Sequence, residues 1–144
     1  MQIRKEENFS KYKYFAAMET KYKISLYEGS LTDIEYIKKF NKTVIEKAQN
    51  KWGDLIELTV SMDELRNIQR LMVKHYDGPE PWYTFGYSVD DHNMIVCAFG
   101  DDDGNNGKIF VFRKNEDKKT YEEILKYGAS KGIPAEEMDF LPLI

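Results

Sequence analysis

The sequence predicts a single α+β domain, with a mostly antiparallel sheet of about five or six strands and two or three amphipathic helices packed on one face. Three observations predict it. Strand-like runs at 82–89, 94–99 and 109–112 follow one another through connections built from Asp, Asn and Gly, which suit tight turns. Three Ser/Thr-x-x-Glu signatures, at Thr32, Ser61 and Thr120, each precede a run of apolar residues at helical spacing. The chain has 144 residues, enough to bury a core without staples and the usual size of one domain.

Residues 1–23 are basic on balance, and residues 1–10 read as a solvated terminus. Six cations interspersed with Glu6, Glu7 and Glu19 do not make a nucleic-acid-binding arm. Tyr12, Tyr14, Phe15, Tyr22, Ile24, Leu26 and Tyr27 favour strand, with a first hairpin expected around residues 16–20. Thr32 and Glu35 then read as a capping box. Ile34, Ile37, Phe40, Val44, Ile45, Ala48 and Trp52 follow at helical spacing, which predicts an amphipathic helix over about 33–50 stopped by Gly53. Its apolar stripe is assigned to the core. Leu55 to Val60 alternates as a short strand.

Ser61 and Glu64 open a second helix, with Leu65, Ile68, Leu71, Met72 and His75 on one side. His75, in the last turn, suits the negative end of the helix dipole. Pro79 and Pro81 then break the chain. In the next strand Tyr83, Phe85, Tyr87 and Val89 share one face, and Trp82, Thr84, Gly86 and Ser88 the other. The run 94–99 is apolar on both faces, as a central strand would be. Thr120 and Glu123 form the third capping signature, opening a helix that carries Tyr121, Ile124 and Leu125 and ends at Gly128 or Gly132. A short helical turn at 133–137 and an apolar tail at 140–144 complete the chain.

Charge is distributed unevenly. Between His75 and Gly107 stand Asp77, Glu80, Asp90, Asp91, Asp101, Asp102 and Asp103, with no Lys or Arg. The net charge of -4 argues against nucleic acid and anionic membranes as partners. The longest apolar runs fall far short of a membrane helix, the N-terminus lacks a signal-peptide core, and a single Cys excludes an intrachain disulfide. A cytoplasmic protein is expected. Oligomeric state is not encoded in any pattern of the sequence.

Asp101, Asp103 and Asn105 alternate like early ligands of a calcium loop. However, Asn106 replaces the required Gly, and Phe112 stands where the bidentate Glu belongs. No metal or cofactor site is therefore assigned. Asp90, Asp91 and His92 lie in a turn, and Cys97 in a central strand reads as a small buried hydrophobe. No phosphate loop, nucleophile elbow or zinc-binding helix motif occurs, so the expectation is a protein that is not an enzyme. Asp90, Asp91, Asp101, Asp102 and Asp103 are the candidate partner-binding acids, with Trp82, Tyr83 and Tyr87 as candidate aromatic anchors. The acids fall in two turns, which alternation places at opposite ends of the strands.

The order of a helix from 63 to 75, then Glu80-Pro81-Trp82, two strands with Asp101 and Asp102 after the second, and Tyr121, Lys126 and Tyr127 leading to Gly132-Ile133-Pro134-Ala135-Glu136 resembles the YezG/EsaG-like immunity family. The resemblance covers about residues 63–137, and Ile133 and Pro134 are adjacent where the family usually has a residue between them. It implies a cytoplasmic antitoxin that binds and neutralises a nuclease toxin. The resulting expectation is a non-enzymatic immunity or inhibitor protein that binds a basic protein partner through an acidic, aromatic-flanked surface. The alternative is a small-molecule or divalent-metal-binding accessory protein of a phage or mobile element, its aromatics lining a pocket.

Overall fold

A computed structural model of the chain describes residues 20–48, 51–72, 82–100 and 107–138. The sheet in these residues has six strands: β1 (Lys21–Tyr27), β2 (Thr43–Glu46), β3 (Leu55–Ser61), β4 (Tyr83–Ser88), β5 (Met94–Phe99) and β6 (Ile109–Arg113). Their order is β2-β3-β1-β4-β5-β6 and every pairing is antiparallel. Two α-helices, α1 (Met62–Leu71) and α2 (Lys118–Ser130), join three short 3-10 helices at Glu28–Ser30, Ile34–Lys39 and Ala135–Met138. The α+β fold is as the sequence predicts. The expected hairpin at 16–20, His75 and the tail at 140–144 lie outside the described residues.

Alternation along β1 and β3 builds one core. Tyr22, Ile24 and Leu26 lie opposite Val60, Leu58 and Ile56, and all six are buried. Leu65, Ile68 and Met72 of α1 and its C-cap close over them, each fully buried. Burial of this kind is worth roughly 1.5–3 kcal/mol per large aliphatic side chain. The capping box that opens α1 is present in full. The Glu64 amide donates to Ser61 Oγ at 3.2 Å, and the Ser61 amide donates to Glu64 Oε1 at 2.8 Å.

The other face of β4, β5 and β6 carries a second core. Ile95, Cys97 and Phe99 of β5 point into it with Phe112, against Ile124 of α2 and Ile133 and Met138 beyond it. Val96 and Ala98, the alternate residues of β5, belong to the first core. The helices are thus divided between the two faces rather than gathered on one. The physical reason is β5 itself: a strand apolar on both sides needs a cover on both.

Two helix starts differ from expectation. Of the span expected as a helix, residues 33–48 are not α-helical: they form the Ile34–Lys39 3-10 turn, capped by Asp33, and then edge strand β2. Thr43, Val44 and Ile45 are β-branched and fit a strand better than a helix. Ile37 is buried, but Ile34, Val44 and Ile45 are exposed, so the supposed stripe is only partly core. Helix α2 begins earlier than expected because Asp117, not Thr120, is its cap, with the Thr120 amide donating to Asp117 Oδ1 at 3.0 Å.

Candidate functional site

The β4–β5 turn is held by its own polar groups. Ser88 Oγ accepts from the amides of Asp90 and Asp91, both at 3.2 Å, and Asp91 Oδ1 accepts from the Asn93 amide at 3.0 Å. The other Asp91 oxygen takes a hydrogen bond from Arg113 at 3.0 Å, and Arg113 also reaches Glu116 at 3.1 Å. Asp91 is therefore a turn-former with a neutralising partner, and Asp90 is its exposed neighbour. Tyr87 lies at this end, its ring 4.6 Å from that of His92.

Trp82 and Tyr83 stand at the opposite end of β4. The Gly100 amide donates to the Trp82 carbonyl at 2.8 Å, so the chain leaves β5 toward Asp101, Asp102 and Asp103 from beside Trp82. Those three aspartates lie outside the described residues. The expected contacts therefore divide: Asp90, Asp91 and Tyr87 belong to one end of the sheet, Trp82 and Tyr83 to the other.

At the Trp82 end the structure opens a cleft of about 440 Å³. Tyr27, Leu55, Tyr83 and Phe85 line it from three strands, and Trp52 and Trp82 form an aromatic corner. The two indoles meet edge to face, with centroids 4.8 Å apart and planes at 83°, a geometry that favours the ring quadrupoles. Lys51 and Glu137 are the charged lining residues. The Lys51 ammonium sits over the Trp52 ring, 4.6 Å from its centroid.

Backbone contacts fix both tryptophans. The Gly29 amide donates to the Trp52 carbonyl at 2.7 Å, and a Cβ on Gly29 would lie only 2.6 Å from that oxygen. Gly53 turns the chain after Trp52 with φ of +80°, which glycine adopts at no steric cost. On the opposite wall the Tyr83 hydroxyl donates to the Glu137 carbonyl at 2.6 Å, tying β4 to the Ala135–Met138 turn. Burial raises the ionisation of the Tyr83 phenol well above its ordinary value, so it remains a donor at neutral pH.

Sequence reasoning found Trp82 and Tyr83 but missed Trp52, Tyr27, Phe85, Lys51 and Glu137. Helical spacing puts Trp52 at the end of an apolar stripe. Its one local signal is the Gly53-Asp54 pair, a turn between two strand-like runs. The convergence of Tyr27 and Ile133 on the cleft depends on long-range pairing that no local pattern encodes.

Among the described residues no group of three or more His, Cys, Asp or Glu is placed to hold a metal ion, and no helix is long and apolar enough to cross a membrane. Cys97 is fully buried, and desolvation pushes its thiol far up. It is a packing residue and not a nucleophile. The chain matches no family model, no curated protein and no solved structure.

Proposed function

We propose that this chain is a non-enzymatic immunity or inhibitor protein that captures a basic protein partner, a nuclease toxin being the leading candidate, at the Trp82 end of the sheet. The observation that carries this reading is the Gly100–Trp82 backbone bond. It places the aromatic corner beside Gly100, the residue that Asp101, Asp102 and Asp103 follow in the sequence. Fixed indole and phenol rings supply contact area at little entropic cost, and acidic residues on a binding surface speed encounter with a basic partner. The partial resemblance to an immunity family points the same way. Among the described residues, the Glu64 and Asp117 carboxylates are held below their ordinary values by the hydrogen bonds of helix caps, so neither is tuned as a general acid.

The test is capture of a cognate basic toxin by the immobilised protein across a salt series. Neutralising Asp101, Asp102 and Asp103 to Asn should weaken capture at low salt and flatten its salt dependence. Neutralising Asp90 and Asp91 should change neither, because they stand at the far end. Equal effects from the two sets would refute the placement.

A second reading is a small-molecule-binding accessory protein. The size of the cleft favours it, since about 300–1,000 Å³ of mostly apolar lining with few polar groups is typical of ligand sites.

A further inference from the structure

We propose that the cleft at the Trp82 end binds a small zwitterion with a flat apolar body, of the class of a free aromatic amino acid. This rests on the small-molecule reading and deepens it by naming the chemistry of the ligand. Tyr27, Trp52, Trp82, Tyr83 and Phe85 make the walls aromatic, and a ring buried against them gains edge and face contacts. The two indoles already pack against each other, so the ring lies along this wall and not between them. A cleft of about 440 Å³ is of the size that takes a small molecule.

The polar part of the ligand is set by the two charged lining residues, Lys51 and Glu137, which are both exposed. Their charges are opposite, yet no ion pair joins them, and among the described residues neither has another ion-pair partner. The Lys51 ammonium rests over the Trp52 ring, 4.6 Å from its centroid. A ring face accepts no conventional hydrogen bond, so the three N–H groups of that ammonium keep their capacity for a carboxylate. Both main-chain polar groups of Glu137 are engaged: its amide donates to the Pro134 carbonyl at 3.0 Å and its carbonyl accepts from the Tyr83 hydroxyl at 2.6 Å. Its carboxylate is thus carried on a fixed backbone, with no hydrogen bond of its own among the described residues.

A lining with one cation and one anion selects the ligand's charge. An anion gains from Lys51 and is repelled by Glu137, and a cation meets the reverse. A neutral hydrocarbon fills the aromatic part and uses neither charge. A ligand carrying a carboxylate and an ammonium beside an apolar body satisfies both residues through charge-assisted hydrogen bonds while keeping the net charge at zero. The backbone bonds from Gly29 to Trp52 and from Gly100 to Trp82 fix the walls, which lowers the cost of ordering the site on binding.

The experiment uses the two indole N–H signals of the 15N-labelled full chain, since Trp52 and Trp82 are its two tryptophans. Free phenylalanine, tyrosine and tryptophan are titrated in turn, and the tightest is compared with its N-acetyl, amide and N-acetyl-amide forms and with glycine. At least one free aromatic amino acid should shift the indole signals saturably, and glycine should shift neither. Blocking one end should weaken binding about two- to fivefold, the range of one exposed ion pair. Lys51→Met should weaken the free amino acid by a similar factor and leave its amide unchanged or tighter. Glu137→Gln should do the same to the free amino acid and leave its N-acetyl form unchanged or tighter. The proposal is overturned if no free aromatic amino acid moves a signal, if any blocked form binds as well as the free one, or if either variant leaves the free form unaffected or weakens free and blocked forms alike. Equal binding of the N-acetyl or amide form alone would point to a chain end of a protein as the occupant. Equal binding of the doubly blocked form would retire the zwitterion and keep the small-molecule reading, and silence from every probe would count against both.

Discussion

Gly86 shows how much of the fold one residue can decide. It sits in β4 opposite Ile24 of β1, and a Cβ there would fall inside the contact distance of the Lys23 carbonyl. Both neighbours are backbone atoms of a paired strand, so neither can swing aside. Gly86→Ala should therefore destabilise the protein by roughly 1–3 kcal/mol, the usual range for overpacking, or more. A urea-denaturation midpoint reads this directly, and a loss below about 0.5 kcal/mol, the scale of a surface change, would show that β1 and β4 are less closely apposed. The sequence shows a glycine in a strand, which suggests a close backbone approach, but it does not show which strand approaches. Trp82 and Tyr83 are similar. Their aromatic character marked them as anchors, whereas their shared cleft with Trp52 depends on the β1–β3 and β1–β4 pairings across long stretches of chain.

Among the elements, legibility follows how local the determining interaction is. The meander of β4, β5 and β6 was readable because period-two alternation and turn residues act within a few positions. The start of α1 was readable for the same reason, since Ser61 and Glu64 satisfy each other's amides. Region 33–50 was misread because apolar residues at helical spacing outweighed its β-branched run, and the strand it forms is stabilised by β3, not by itself. The α1 cap also carries a pH prediction. Hydrogen bonding to the Ser61 amide, with help from Lys21 and Lys39, holds the Glu64 carboxylate below its ordinary value of 4.5. A lowered folded pKa means that the contribution is fully present above 4.5 and is lost as the pH falls through the folded value. Ser61→Ala should cost about 1 kcal/mol at neutral pH. Glu64→Gln should flatten the stability profile below 4.5 while keeping a hydrogen-bond acceptor for the Ser61 amide. Urea midpoints taken from neutral pH down to about pH 3 measure both, and an unchanged acid limb in Glu64→Gln would assign that limb to other carboxylates.

At the scale of the molecule, β5 links two cores that otherwise share little. Val96 and Ala98 pack with α1 and the β1–β3 layer, and Ile95, Cys97 and Phe99 pack with α2. Neither cluster can come apart without exposing one side of the same strand, so the two should unfold together. Leu65→Ala opens the first core and Ile124→Ala the second, and both positions are fully buried. Each should cost roughly 2–5 kcal/mol. The informative quantity is the form of the transition and not only its midpoint. Followed by tryptophan fluorescence and by far-ultraviolet circular dichroism, each variant should show one coincident transition at a lower urea concentration. Trp52 and Trp82 report the cleft, and circular dichroism reports the helices on both faces. If Ile124→Ala separated the two curves, α2 and its core would be an independent folding unit. Tyr83 would then tie a separable layer to the cleft through its bond to Glu137, and loss of that layer would unseat one wall of the candidate site while Trp52 stayed in place.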